Sequence, residues 1–166
     1  MREMKKTTSL LDLTGTGYCA SLNFRRTARA VTRLYDLALQ KFGIRSTQFA
    51  ILVGIAKKQP TSMGALGEML GIDSTTLTRS LRLLEKEGLI AISKRAEKRQ
   101  RFLTITARGE QRLARSLPAW RAAQDRFVTT IGSEYWGELR NELEKLAHIA
   151  VKLEKPEESS AQSGGV

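Results

Sequence analysis

The chain has 166 residues, room for one domain with helical extensions, and its 28 Lys and Arg against 17 Asp and Glu give a formal net charge of +11. That balance suits a polyanionic partner, either nucleic acid or an anionic surface. A single cysteine excludes an internal disulfide and fits a reducing cytoplasm; the longest apolar run, Phe49 to Ala56, is too short to span a bilayer; and aromatic residues, at 6%, are too few for a single-strand stacking platform.

Residues 1–14 read as a flexible lead-in, because Met1 to Ser9 is polar and basic and lacks the apolar segment of a signal peptide. Gly15-Thr-Gly17-Tyr-Cys-Ala20 matches the G-x-G-x-x-G/A phosphate loop. Such a loop needs a βαβ unit, and here one long helix, Tyr18 to Lys41, follows with no parallel strand. Phe24, Ala28, Val31, Tyr35, Ala38 and Phe42 recur along that helix at three- and four-residue spacing, with Arg25, Arg26, Arg29 and Arg33 on its other side. Gly43 ends it. Ser46 or Thr47 caps a second helix that runs through Lys57, and its Phe49, Leu52, Val53 and Ala56 are expected to pack beneath the fourth helix.

Two short amphipathic helices come after Gln59-Pro60. The first spans Met63 to Leu70, with Leu66, Met69 and Leu70 inward and Thr61 or Ser62 as N-cap. Gly71 ends it, as a residue free to take positive φ should. Asp73 or Ser74 caps the next helix, where Leu77, Leu81 and Leu84 repeat at i, i+4, i+7. Small Gly67, turn Gly71 and apolar Leu77 stand where a helix-turn-helix needs close packing, a tight turn and a buried anchor. The opposite face carries Thr75, Thr76, Arg79 and Arg82, which suits entry into a groove.

Gly88 stops that helix. Leu89 to Ser93 and Arg101 to Thr106 read as two strands, with apolar positions at Leu89 and Ala91, then Phe102 and Ile105. Between them Lys94 to Arg101 is strongly basic. On its own such a run is a solvated hairpin; directly after a polar helix of this kind it reads as a phosphate or minor-groove contact. Helix-turn-helix and basic hairpin together make a winged helix.

Thr106 then caps a helix to Ile131, with Glu110 near its positive end and Pro118 predicting a kink or break near Ser116. Gly132-Ser133 separates it from a last helix, Glu134 to Lys155, where Trp136, Leu139, Leu143, Leu146, Ala150 and Leu153 recur with heptad-like spacing. A small winged module cannot cover that seam, so the first helix and the last two are expected to intertwine with their copies in a homodimer. Residues 156–166 form a polar, Ser/Gly-rich tail of disordered type.

Taken in order, five segments resemble the MarR (multiple antibiotic resistance regulator) family of transcription factors, over roughly Tyr18 to Ile131. They are Ser46-Thr47-Gln48-Phe49, Leu66 to Asp73, Ser74-Thr75-Thr76-Leu77-Thr78-Arg79, Leu84 to Ile90, and Ile105-Thr106-Ala107-Arg108-Gly109. The wing departs from the family pattern. Where Asp-x-Arg is usual, this chain has Glu97-Lys98-Arg99 in a slightly shorter wing, with the arginine kept at Arg99. The resemblance implies a mainly α fold, a winged helix-turn-helix with a small β-hairpin wing, flanked by N- and C-terminal helices that form a dimerisation domain. The expected division is 15–44 for the first dimerisation helix, 45–106 for the DNA-binding module and 107–155 for the C-terminal dimerisation helices. It also implies a cytoplasmic homodimer on the pseudo-palindromic operator of double-stranded DNA, acting by default as a repressor and released by a small phenolic or aromatic ligand.

The expected DNA contacts follow from these placements. Thr75, Thr76 and Arg79, near the start of the recognition helix, would reach base edges, arginine being able to chelate guanine O6 and N7. Ser74, Thr78 and Arg82 would serve bases or phosphates, and Ser62, at a helix N-terminus, a backbone phosphate. Arg95, Lys98, Arg99 and Arg101 are the wing contacts, with Arg99 and Arg101 turned to one face by strand alternation. Cys19, near Tyr18 at the start of the first helix, resembles the thiol of the family's hydroperoxide sensors, although it falls about two residues early, half-way round a helix; the alternative is a small apolar residue at the dimer interface. His148 has no partner at metal-ligand spacing, Trp120, Phe127, Tyr135 and Trp136 read as core more readily than as a ligand pocket, and no G-x-S-x-G supports catalysis, so no metal, cofactor or enzymatic activity is expected.

Overall fold

A computed structural model describes residues 13–94 and 101–154 of the chain. Among them are six α-helices and three short strands: α1 (Ala20–Leu39), α2 (Ser46–Lys57), β1 (Thr61–Ser62), α3 (Met63–Leu70), α4 (Ser74–Lys86), β2 (Ile90–Lys94), β3 (Arg101–Ile105), α5 (Ala107–Ile131) and α6 (Ser133–Glu154). The mainly α winged-helix class expected from the sequence is the one observed, and the bounds of α3 and α4 agree closely with the capping and spacing arguments. α2 opens earlier than its expected cap allows, because Arg45 stands at its N-cap and Ser46, expected with Thr47 to cap it, is already its first residue. The Gly15–Gly17 segment leads into a 3-10 turn, Thr16–Tyr18, and the sheet is wholly antiparallel, so the described residues hold no βαβ frame for a nucleotide loop.

The helix-turn-helix is built as its small residues dictate. Ser62 Oγ accepts the Ala65 N–H at 3.2 Å and so caps α3, and Gly71 closes it with φ 61. A Cβ on Gly67 would stand 3.1 Å from the Ile72 carbonyl oxygen, a tight contact that would press the turn outward by a few tenths of an ångström, so glycine suits this close fold-back. Leu66, Leu77, Leu81 and Leu84 are all essentially buried and join Leu39, Ile51, Leu52, Ile55, Leu89 and Leu103 in one core. Met69, expected inward, is 52% exposed; its methyl end lies over Gly54 while the rest of the side chain faces out. Phe49, Leu52, Val53 and Ala56 do enter or border this core, yet α2 packs chiefly on α1, α3 and β3 instead of directly under α4, and Phe49 stacks on Trp120 of α5 at 5.6 Å.

The sheet has three strands in the order β1-β3-β2, one more than the hairpin read from sequence. Thr61 and Ser62 pair with Leu103 and Phe102, so a two-residue strand doubles as the N-cap of α3. The inward register also differs from expectation. Leu103 and Ile105 are buried and face Ile92 and Ile90 across the ladder, whereas Phe102 is half-buried and Ala91 exposed. Strand alternation puts 103 and 105 on one face, and that face is the one closing over the leucines of α4.

Thr106 joins the wing to α5: its hydroxyl donates to the Gly88 carbonyl at 2.7 Å and accepts the Gly109 N–H at 3.0 Å. α5 runs without interruption from Ala107 to Ile131 through Pro118, so of the expected kink or break the break does not occur. Proline removes one backbone bond there, while buried Ser116, which donates to the Leu113 carbonyl, and the core contacts of Leu117 and Trp120 hold the flanking turns. The described residues fall into two compact units divided within α5 at Trp120. In the second, Phe127 and Trp136 meet edge to face at 5.8 Å across the Gly132 turn (φ 93). Along α6, Leu143, Leu146 and Leu153 are exposed, as are Leu22 and Phe24 on α1.

A Cβ at Gly109 would overlap the backbone oxygen of Leu89 and press on Ile105, so α5 can meet the sheet only through glycine. Gly109→Ala is therefore expected to destabilise the protein by about 2–3 kcal/mol. Gly64→Ala, where a Cβ meets nothing within 4 Å, should stabilise slightly through helix propensity. Thermal denaturation of both variants checks this; equal and opposite-to-expected shifts would contradict the packing described.

Candidate nucleic-acid interface

The polar face of α4 owes its display to the helix's two other sides. Leu77, Leu81 and Leu84 lock one side into the core, and the opposite side, with Thr75, Arg79 and Arg82, is exposed. At the N-terminus Asp73 Oδ1 accepts the N–H groups of Thr75 at 3.0 Å and Thr76 at 2.9 Å. These bonds satisfy two of the amides that a helix start leaves open and place a negative charge on the positive end of the dipole. Hydrogen bonding to Thr76, side chain first and then backbone, holds the Asp73 carboxyl below its ordinary value, against an opposing effect of desolvation and with the Thr75 amide adding a lesser pull.

Ser74, Thr75, Thr78, Arg79 and Arg82 line one open depression of about 560 Å³ along this face. Five of the residues singled out in sequence are thereby brought together. Thr76 is exposed but lies round the helix from that depression and is engaged with Asp73, and the Thr78 hydroxyl donates to the Ser74 carbonyl at 2.6 Å. Their hydroxyls are thus tied to the helix itself. Ser62 is half-buried and spends its hydroxyl on capping α3.

Arg82 also belongs to a second, smaller depression of about 190 Å³, shared with Met63, Glu85, Ile92 and Arg101. This puts exposed Arg101, at the start of β3, beside the recognition helix, in one depression with Arg82 and the acidic Glu85. Met63 was not singled out in sequence; an apolar residue just inside a helix cap carries no signal that it will sit between a helix and a wing. Arg95, Lys98 and Arg99 lie outside the described residues.

The remaining candidates are dispersed. Cys19 is exposed and stands at the N-cap of α1, and His148 is exposed on α6. Among the described residues no three His, Cys, Asp or Glu side chains are grouped to hold a metal ion, and no helix is long and apolar enough to cross a membrane. Trp120 is stacked in the core.

Comparison with known proteins agrees with this geometry. A family model described as MarR family matches residues 44–100. An uncharacterized HTH-type transcriptional regulator of Bacillus cereus is 30% identical over 121 residues, 72% of this chain and 81% of that one. Among solved structures, the M. tuberculosis transcriptional regulator MosR in complex with DNA is 31% identical, with a TM-score of 0.75 over 81% of this chain and 98% of that one. The transcriptional repressor CouR of Rhodococcus jostii, bound to a 23-mer DNA duplex, shares the fold at 20% identity, with a TM-score of 0.71 over 84% and 99% of the two chains.

The depressed Asp73 carboxyl makes the cap pH-dependent. A carboxyl whose pKa is lower folded than unfolded contributes stability above its unfolded value and loses it as pH falls through the folded one. Asp73→Ala is expected to lower the melting temperature at neutral pH, and the gap from the parent should close as pH drops below the ordinary carboxylate range. Asp73→Asn, which keeps an acceptor, should lose less. A gap unchanged from neutral to strongly acidic pH would contradict the role given to the charge.

Proposed function

The chain belongs to the MarR family of DNA-binding transcription regulators, and on that premise we propose that it is a homodimeric repressor that reads a pseudo-palindromic operator through α4. One observation carries this reading: the polar face opposite the buried leucines of α4 gathers Thr75, Arg79 and Arg82 into one surface that continues to Arg101. Arg79, most nearly opposite the leucines, is assigned to base edges, where bidentate contact with guanine discriminates among bases. Thr75 shares that role. Arg82 and Arg101 are assigned to phosphates, with Ser62, Ser74, Thr76 and Thr78 supporting through the backbone and caps they order. Arg95, Lys98 and Arg99 extend the phosphate contacts in the wing.

The dimer is supported by the apolar residues left exposed along α6 and on the first turns of α1. In this reading residues 15–44 and 107–155 supply the dimerisation helices and 45–106 the DNA-binding module. A two-fold dimer sets its recognition helices into major grooves about one helical turn apart, roughly 10 bp. Release follows when a small phenolic or aromatic ligand prefers, by a few kcal/mol, the state whose helices are misplaced. The protein acts in the cytoplasm, and its surplus of 28 cations over 17 anions steers it to DNA.

The test is a selection of bound fragments from the source genome, followed by titration of the best fragment and a scrambled duplex at two salt concentrations. A preference of about a thousandfold or more is expected. Arg79→Ala should cut that preference by about 1–3 kcal/mol, and Arg101→Ala should weaken both duplexes alike and shallow the salt slope by about one. Equal affinity for every fragment would replace operator reading with sequence-independent coating of DNA.

A further inference from the structure

The turn between α1 and α2 is short and is held from two sides. A 3-10 turn at Gln40–Phe42 follows α1, and Gly43 reverses the chain at φ 64 just before Ser46 opens α2. The first amides of α2 need acceptors. Gln48 Oε1 takes the Arg45 N–H at 2.9 Å. Asp36, on the last turn of α1, takes the next: its Oδ1 accepts both the backbone N–H and the hydroxyl of Ser46, each at 2.7 Å. Its other oxygen lies 3.6 Å from Arg45 Nη1, but that guanidinium is 80% exposed, so water screens the ion pair. The two short bonds to Ser46, made by a three-quarters-buried carboxylate at a helix start, are the stronger tie. From the other side Arg112 of α5 donates through Nη1 to the Phe42 carbonyl at 2.9 Å and reaches that of Gly43 at 3.4 Å.

We propose that Asp36 and Arg112 are positioning residues for DNA recognition: together they set the angle at which the module opening with α2 leaves α1 and α5, and with it the half-site spacing the protein accepts. The inference rests on the dimeric, two-half-site reading above. α2 packs on α3 and α3 on α4, so a rotation at the Gln40–Ser46 turn carries the recognition helix with it. Successive bases on a strand are only about 3.4 Å apart, so a small rotation is enough to lose register. Neither residue lines the two depressions on the polar face of α4, and their effect on DNA passes through this turn.

Titration of duplexes whose half-sites are moved one or two base pairs closer or farther tests it. The full chain is compared with Asp36→Ala, Asp36→Asn, Ser46→Ala and Arg112→Ala, with melting and dimer mass measured alongside. The parent should favour one spacing by about tenfold or more. Asp36→Ala and Arg112→Ala should flatten that preference to about twofold, by losing affinity at the native spacing while keeping it at the others. Asp36→Asn, still an acceptor, should restore most of it, and Ser46→Ala, which removes one of two bonds, should fall between. Should Asp36→Ala fail to fold, Ser46→Ala and Arg112→Ala decide. Variants as sharply peaked as the parent, or weakened equally at every spacing, overturn the proposal and leave the function intact. A parent with no spacing preference overturns the two-half-site reading itself.

Discussion

Rotation of α4 about its own axis is the constraint on which the rest of the protein depends. Leu77, Leu81 and Leu84 are at most 1% exposed, and burying a leucine is worth about 1.5–3 kcal/mol. Three of them together approach the whole net stability of a typical domain, roughly 5–15 kcal/mol. Turning the helix by one residue would expose part of that stripe, so no partner can be accommodated by rolling α4. The outward face is fixed by what the inward face buries. Asp73 defines where the helix starts, Gly71 and Gly67 define how closely it follows α3, and Leu89 and Leu103 close the floor beneath it.

The sheet and α5 extend this constraint outward. β3 contributes Leu103 and Ile105 to the core and Arg101 to the surface beside Arg82, so the same short strand supports the helix and adds a cation to its polar side. Thr106 and Gly109 then turn the chain into α5 under tight contact with Gly88 and Leu89. Asp36 and Arg112 anchor the opposite corner. The recognition helix thus sits in a module whose two exits are both pinned, as the proposed reading of two half-sites at a set distance would require.

Much of this was legible in the sequence because its signals are local. Gly71, Asp73, the leucine spacing of α4 and Gly88 each act within a few residues, and they placed the helix-turn-helix and its polar face correctly. Features that depend on distant pairing were not legible. β1 is two residues long, too short for any alternation, and exists because Thr61 meets Leu103. Within Arg-Phe-Leu-Thr-Ile the larger Phe102 suggests the inward face, but the register with Ile90 and Ile92 assigns it to Leu103. Ser46 looked like the cap of α2, whereas the acceptor is Asp36 on the preceding helix. Pro118 carries a local signal for a kink or break, yet the helix continues through it, with Leu117 and Trp120 beside it packed against the core. The meeting of Arg82 with Arg101 likewise appears only once β3 is folded against α4.

Methylation interference on a selected operator fragment tests the central claim most directly. If Arg79 reads guanine in the major groove, methylation at guanine N7 should block binding at two clusters about one helical turn, roughly 10 bp, apart on one face of the duplex. Interference that is absent, or spread evenly along the fragment, would mean that α4 does not read base edges there and would contradict the account.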